Sequence, residues 1–176
     1  FGPAWMKRYG EILCKMYSDK LKLPMKTVVV RPGNIYGPHD NFDLNTSHVM
    51  AATIRKIIEH QDPIMVWGTG EDVRDFIYID DFIDGLLIAA KRIESYEPVN
   101  IASGLGYNIK EILAMLMDIE DFTRANIVYE HEKPTMIPIR LLDTKKAEQL
   151  LGFKARVGIE EGMRRTIQWY KKEHGL

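Results

Sequence analysis

Arg31-Pro-Gly-Asn-Ile-Tyr-Gly-Pro-His-Asp-Asn-Phe42, closing on Ser47-His48-Val49, decides how this 176-residue chain is read. A β-branched run, Thr27-Val28-Val29-Val30, leads into it and predicts a buried parallel strand over 26–31. Past the strand end the chain supplies Gly, Asn, Pro and His, which predicts an exposed loop over 32–46. Open α/β folds bind their ligands at the C-terminal edge of a parallel sheet, where this loop falls.

Outward from that block, helices and strands alternate, and the alternation predicts an α/β fold. Before it, Trp5, Tyr9, Ile12, Leu13, Met16 and Tyr17 have amphipathic spacing, and a helix over 5–22 ends at Pro24. After it, apolar spacing predicts a helix from Ser47 to His60, with Thr46 or Ser47 as N-cap. Ile64–Trp67 and Arg74–Ile79 read as strands around the turn Gly68-Thr69-Gly70-Glu71. Asp80-Asp81 and Lys91-Arg92 suit the two ends of the next helix. Val99–Ala102 reads as a strand, Asn108–Glu111 as a capping box opening a helix over 109–119, and Asn126–Tyr129 as a strand. Helices over 144–151, stopped at Gly152, and 159–172 complete the pattern.

Hydrophobic residues make up 45% and charged residues 28% of the chain, ordinary values for a globular protein. The formal net charge of −1 argues against a dedicated nucleic-acid binder, and no basic stripe with interleaved aromatics appears. No apolar run approaches the ~20 residues of a membrane span, and no leader pattern is visible. The single Cys14 excludes an internal disulfide, suits a reducing cytoplasm, and reads as a buried structural thiol. The scattered histidines hold no metal-binding spacing, so no metal is expected. No Gly-rich phosphate loop occurs, and the chain is expected to be the C-terminal part of a longer protein.

The block 31–38 resembles the RxxNxYGP loop of the extended short-chain dehydrogenase/reductases, the NAD-dependent epimerase/dehydratase family. Its continuation YGPHDNF…SHV is most similar to the GDP-L-fucose synthase group. The resemblance covers essentially the whole chain. It implies the last part of a Rossmann-type doubly wound sheet plus a small α/β substrate-binding subdomain. Residues 1–46 would be the end of the dinucleotide-binding domain. Residues 47–176 would be mostly substrate subdomain, with segments returning to the sheet.

Function follows the same resemblance: the substrate half of an NAD(P)-dependent nucleotide-sugar epimerase/reductase, using NADP or NAD in the full-length parent. The alternatives are a nucleotide-sugar 4-epimerase or dehydratase, and a non-catalytic nucleotide-sugar-binding module. The family's Tyr-x-x-x-Lys pair places a proton-transferring hydroxyl one helical turn from a ribose-binding lysine. The frame Gly2–Glu11 fits this pair with Lys7 as the lysine, but its tyrosine position falls on Pro3, which has no hydroxyl. Tyr9 stands about 200° round the helix from Lys7 and cannot replace it. Either the parent is crippled or Pro3 is a non-native scar beside Gly2; as it stands, the chain is expected to be inactive alone.

By resemblance, Pro32, Gly33, Asn34 and Ile35 pass the nicotinamide, with Asn34 also reaching substrate. Glycine permits close backbone approach, and the amide both donates and accepts. His48, an imidazole able to titrate near neutral pH, corresponds to a proposed general acid for epimerisation. Lys56 would contact the substrate, Trp67 would pack on the nucleotide, and Arg74 would bind the diphosphate through a planar fork that pairs with phosphate oxygens. Glu130, in Glu130-His-Glu-Lys-Pro134, and Arg140 match a looser segment with Met136 near the usual glycine. Asp143 reads as an N-cap. The implied partners are a nucleotide-diphosphate sugar and a second copy of the chain, joined through the helix at 5–22.

Overall fold

The computed structural model describes residues 2–133 and 137–176; Pro134 and Met136 of the glutamate segment lie outside them. The first half runs α1 (Gly2–Asp19), β1 (Val30–Pro32), β2 (Asn34–Tyr36), α2 (Val49–Ile58), β3 (Ile64–Trp67), β4 (Val73–Tyr78) and α3 (Ile79–Arg92). The second runs β5 (Val99–Ile101), β6 (Gly106–Asn108), α4 (Ile109–Ile119), β7 (Ile127–Glu130), β8 (Ile139–Arg140), α5 (Lys145–Leu151) and α6 (Ile159–His174). The fold is α/β, and β1–β5, β2–β4 and β3–β7 are all parallel pairs. β4 also takes β6 antiparallel and β8 parallel along its first residues.

Strand β4 separates two cores. Side chains alternate across a strand, so Phe76 and Tyr78 enter one core with Tyr36, Met50, Ile54, Leu113, Met163 and Tyr170. Ile77 enters the other with Ala89, Val99, Ile101, Leu151 and Phe153. Asp75 shares the Ile77 face and is 0% exposed. Its carboxylate accepts from the Ser103 amide (3.0 Å), the Ser103 hydroxyl (2.7 Å) and the Gly104 amide (3.0 Å). Those bonds offset the cost of burying the charge and fasten the turn after β5 to β4. Asp81, also buried, accepts from the Arg156 and Val157 amides (2.9 and 2.8 Å), joining α3 to the approach of α6.

Several boundaries differ from the sequence reading. The first helix stops at Asp19 rather than 22, three residues beyond Met16. The first strand is Val30–Pro32 rather than 26–31, because its ladder is set by the three residues Val99–Ile101 of β5. The loop expected over 32–46 contains β2, which pairs with the second half of β4. Strands β6 and β8 have too few residues to show periodicity and exist because β4 offers them a ladder. The cap of α2 is His48, not Thr46 or Ser47, and no side chain caps this end. Cys14 is half-buried rather than buried, since α1 has no buried residue. The capping box holds: the Asn108 side chain accepts from the Glu111 amide, and Glu111 accepts from the Asn108 amide, both at 2.8 Å.

Polar bonds fasten α1. Arg31 grips the Glu11 carboxylate with two N–H groups at 2.7 and 2.8 Å, and Arg8 adds a third donor at 2.8 Å. These bonds hold the Glu11 carboxyl at about 2, far below its ordinary value, against a smaller opposing effect of burial. The Thr27 hydroxyl donates to the Cys14 carbonyl, and the Tyr96 amide donates to Ser18.

Candidate active site

A cleft of about 670 Å³ opens where α1, the β1–β2 connection, the start of α2 and the β4–β8 pair converge. Lys7, Gly33, Asn34, Ile35, His48, Arg74 and Arg140 all line it, drawn from five separate segments of the chain. Pro32, at the end of β1, does not. Lys56, Trp67 and Glu130 form a second group at the β3–β7 end. Trp67 and Glu130 are register partners there, and Lys133 lies 5.4 Å from the Trp67 ring centre. Trp67 is 63% exposed. Lys56 is half-buried and donates to the Met65 carbonyl at 2.6 Å. Burial pulls its ammonium below the ordinary lysine range, with Glu130 acting the other way.

Each cleft residue has a local reason for its place. Asn34 precedes Tyr36 by two residues, so both face the same side of β2. Gly33 is closed in by Ala102 and Asp75, where a Cβ would lie 3.2 Å from both. Gly37 takes φ +151, and a Cβ there would fall 2.5 Å from the Ile79 Cγ2, so only glycine turns the chain out of β2. His39 also lies in the left-handed region, with φ +65, and its ring centre is 4.7 Å from that of Trp169 on α6. Pro3 occupies the first turn of α1, which tolerates the missing N–H. Lys7 is one turn further and reaches the cleft; Tyr9 is 62% exposed and does not line it.

The electrostatics favour an anion. Lys7, Arg74 and Arg140 line the cleft together with a single carboxylate, Asp40, which also accepts from the Asn41 amide at 2.7 Å. Arg74 and Arg140 are register partners on β4 and β8. Arg74 pairs with Asp72 at 2.9 Å, not with Glu71 or Asp75; Glu71 takes Lys110 instead. Among the described residues Lys7 and Arg140 have no carboxylate within ion-pairing distance. No group of three or more His, Cys, Asp or Glu among them is placed to hold a metal ion. No helix there is long and apolar enough to cross a membrane.

Sequence reasoning did not pick out His39, Asp40 or Asp72 as site residues. His39 and Asp40 lie inside the block quoted at the outset, and their place beside His48 was the available signal. Asp143, read as an N-cap, stands one residue before the cap, because α5 begins at Lys145 and Thr144 takes that place; the Asp143 carboxylate still accepts from the Lys145 amide at 2.9 Å.

Residues 4–102 match the NAD dependent epimerase/dehydratase family. The chain belongs to that family. It is 32% identical over 171 residues to a protein of Oryza sativa subsp. japonica named probable GDP-L-fucose synthase 1, covering 95% of this chain and 51% of that protein. The UDP-glucose 4-epimerase of Thermotoga maritima, solved with UDP-glucose, superposes with a TM-score of 0.87 at 26% identity, over 96% of this chain and 52% of the other. The UDP-glucuronic acid 4-epimerase of Bacillus cereus, solved with UDP-glucuronic acid and NAD, gives 0.83 at 27% identity, over 96% and 52%. The family member described here spans about half the length of these relatives.

Proposed function

We propose that this chain forms the nucleotide-sugar-binding half of an NAD(P)-dependent epimerase/reductase of the GDP-L-fucose synthase type. The observation that carries the reading is the pair Arg74 and Arg140, side by side on β4 and β8 and facing one cleft. Like charges on neighbouring strands oppose folding, and a diphosphate between them turns that opposition into binding. Asn34 serves the sugar or its diphosphate from the floor of the cleft. Lys56, Trp67 and Glu130 extend recognition toward the nucleoside along the β3–β7 end.

The residues fit the ribose end of a nicotinamide cofactor. Lys7, without a carboxylate partner among the described residues, would offer its ammonium to ribose hydroxyls beside the Gly33–Ile35 backbone. The cofactor, when bound, supplies hydride transfer at the sugar carbon. His48, which lines the cleft at the start of α2, would be the group that protonates an enolate-like sugar. The hydroxyl that accompanies Lys7 in the family is missing at Pro3, so this chain alone should carry out neither epimerisation nor reduction. The lone, half-buried Cys14 suits a reducing cytoplasm. The exposed stripe of α1 supports pairing with a second copy.

The likeness to the UDP-glucose 4-epimerase structure favours a second reading, a UDP-sugar 4-epimerase. Calorimetric titration with GDP, UDP and guanosine tests the proposal and separates the two. A diphosphate site requires GDP or UDP to bind at least about tenfold more tightly than the bare nucleoside, or ~1.4 kcal/mol. Equal affinity for GDP and guanosine would overturn it.

A further inference from the structure

We propose that Asp72 is a positioning residue for diphosphate recognition, acting through Arg74 on the short strand that carries Arg140; this rests on the nucleotide-diphosphate reading above. The donors of Arg74 carry the case. A guanidinium has five N–H groups. Nη1 donates to the Val73 carbonyl at 2.9 Å and to the Ile137 carbonyl at 2.7 Å, and Nη2 donates to Asp72 at 2.9 Å. That leaves Nε and one Nη2 hydrogen without a protein acceptor among the described residues, enough for one two-point contact with phosphate oxygens.

The same side chain therefore has two tasks. One face is available to the cleft, and the other holds the 137–140 segment to β4. Among the described residues that segment has little else to hold it. Strand β8 contributes two register pairs, and the Val73 amide donates to the Pro138 carbonyl at 2.7 Å. Its apolar side chains do not anchor it: Ile137, Ile139 and Leu141 are all more than half exposed. Arg140 thus reaches the cleft on a strap that depends on hydrogen bonds, two of them from Arg74 Nη1, to the Ile137 carbonyl and, longer at 3.5 Å, to the Pro138 carbonyl.

Asp72 keeps Arg74 in that arrangement. It lies two residues before Arg74, and the pair is largely buried, with side chains 20% and 17% exposed. Without the carboxylate, Arg74 would be a buried cation beside Arg140 with only carbonyls for company. Turning toward solvent would relieve it and would release Ile137. Yet Asp72 is also a negative charge near a site for anions, so by simple Coulomb repulsion its removal should improve binding. The two roles predict opposite signs.

The test compares wild type, Asp72→Ala, Asp72→Asn, Arg74→Ala and the Asp72→Ala/Arg74→Ala double variant by calorimetry with GDP and with guanosine, with thermal unfolding on each. Positioning predicts that Asp72→Ala weakens GDP about tenfold and guanosine less than about twofold, the loss of oriented charge-assisted bonds. Asp72→Asn, which keeps an oxygen acceptor, should lose less. In the Arg74→Ala background the Asp72 change should add almost nothing, because coupled residues are not additive. Tighter GDP binding by Asp72→Ala overturns the proposal. So does an undiminished effect in the Arg74→Ala background, an equal loss for guanosine, or lowered thermal stability with unchanged GDP affinity. Wild-type protein that fails to bind GDP removes the nucleotide reading itself and this proposal with it.

Discussion

Arg74 and Arg140 stand as register partners on the parallel pair β4–β8, and among the described residues only Arg74 has a carboxylate, Asp72, to balance its charge. Two guanidinium groups on strands about 5 Å apart are an unfavourable arrangement without a counterion. The fold keeps one neutralised and leaves the other to the cleft.

Arg140→Ala should therefore weaken GDP or UDP binding by roughly 1.5–3 kcal/mol, the range for hydrogen bonds to a charged group. Arg74→Ala should cost at least as much, since it removes a phosphate contact and the bond to Ile137. Arg74→Lys should recover only part, because an ammonium cannot reproduce the fork. Titration calorimetry on folded variants gives the answer. Unchanged affinity in Arg140→Ala would place the diphosphate elsewhere.

Acid should loosen α1 through Glu11. Its folded pKa of about 2 lies below the ordinary value of 4.5. The stabilisation is therefore complete above about 4.5 and is lost as pH falls from there toward 2. The difference in urea midpoint between wild type and Glu11→Gln should be largest near neutrality and shrink steadily below pH 4.5. A difference independent of pH would mean that the Arg31–Glu11 pair contributes nothing through its charge.

Gly37→Ala should destabilise the protein by roughly 1–3 kcal/mol, the usual cost of overpacking. The new methyl would meet Ile79, and the backbone would have to hold φ +151 with a side chain. Thermal unfolding measures the loss. A variant as stable as wild type would show that the turn out of β2 can rearrange without disturbing the cleft floor.

Helix α1 presents Trp5, Met6, Tyr9 and Met16 to solvent, with Trp5 73% exposed, a patch of the kind that marks an interaction surface. The protein should self-associate at micromolar concentration, and Trp5→Lys with Tyr9→Glu should return it to monomers. Sedimentation velocity decides. Strictly monomeric wild-type protein would count against a second copy as the cover.

Much of this architecture could be read from periodicity. Helices α3 and α6 announce themselves through apolar spacing and end charges, and α4 through apolar spacing and the residue types of its Asn108–Glu111 box. The strands β2, β6 and β8 could not be read, because two or three residues carry no period and take their state from β4. At the site, Lys7, Asn34, His48, Arg74 and Arg140 were legible because motifs name residue types at fixed spacing. The split between the cleft and the Lys56–Trp67–Glu130 group was not, since it depends on which strand end each residue reaches. Asp72 was silent for a similar reason: Glu71 or Asp75 could equally have been the carboxylate that Arg74 takes until side-chain direction was known.

The partition formed by β4 guards against one particular error. Its odd and even residues belong to different cores, so a slip of one residue against β2 would exchange Ile77 with Phe76 and Tyr78 and spoil both cores together. The same slip would turn Asp75 into the cleft and Arg74 into the interior. At that place on β4 the cleft would meet a carboxylate instead of a guanidinium, which would cancel its excess of positive charge. The hydrophobic residues at the far end of the strand thus act as a proofreading device for the cation at its beginning, rejecting a misalignment that would take Arg74 out of the cleft.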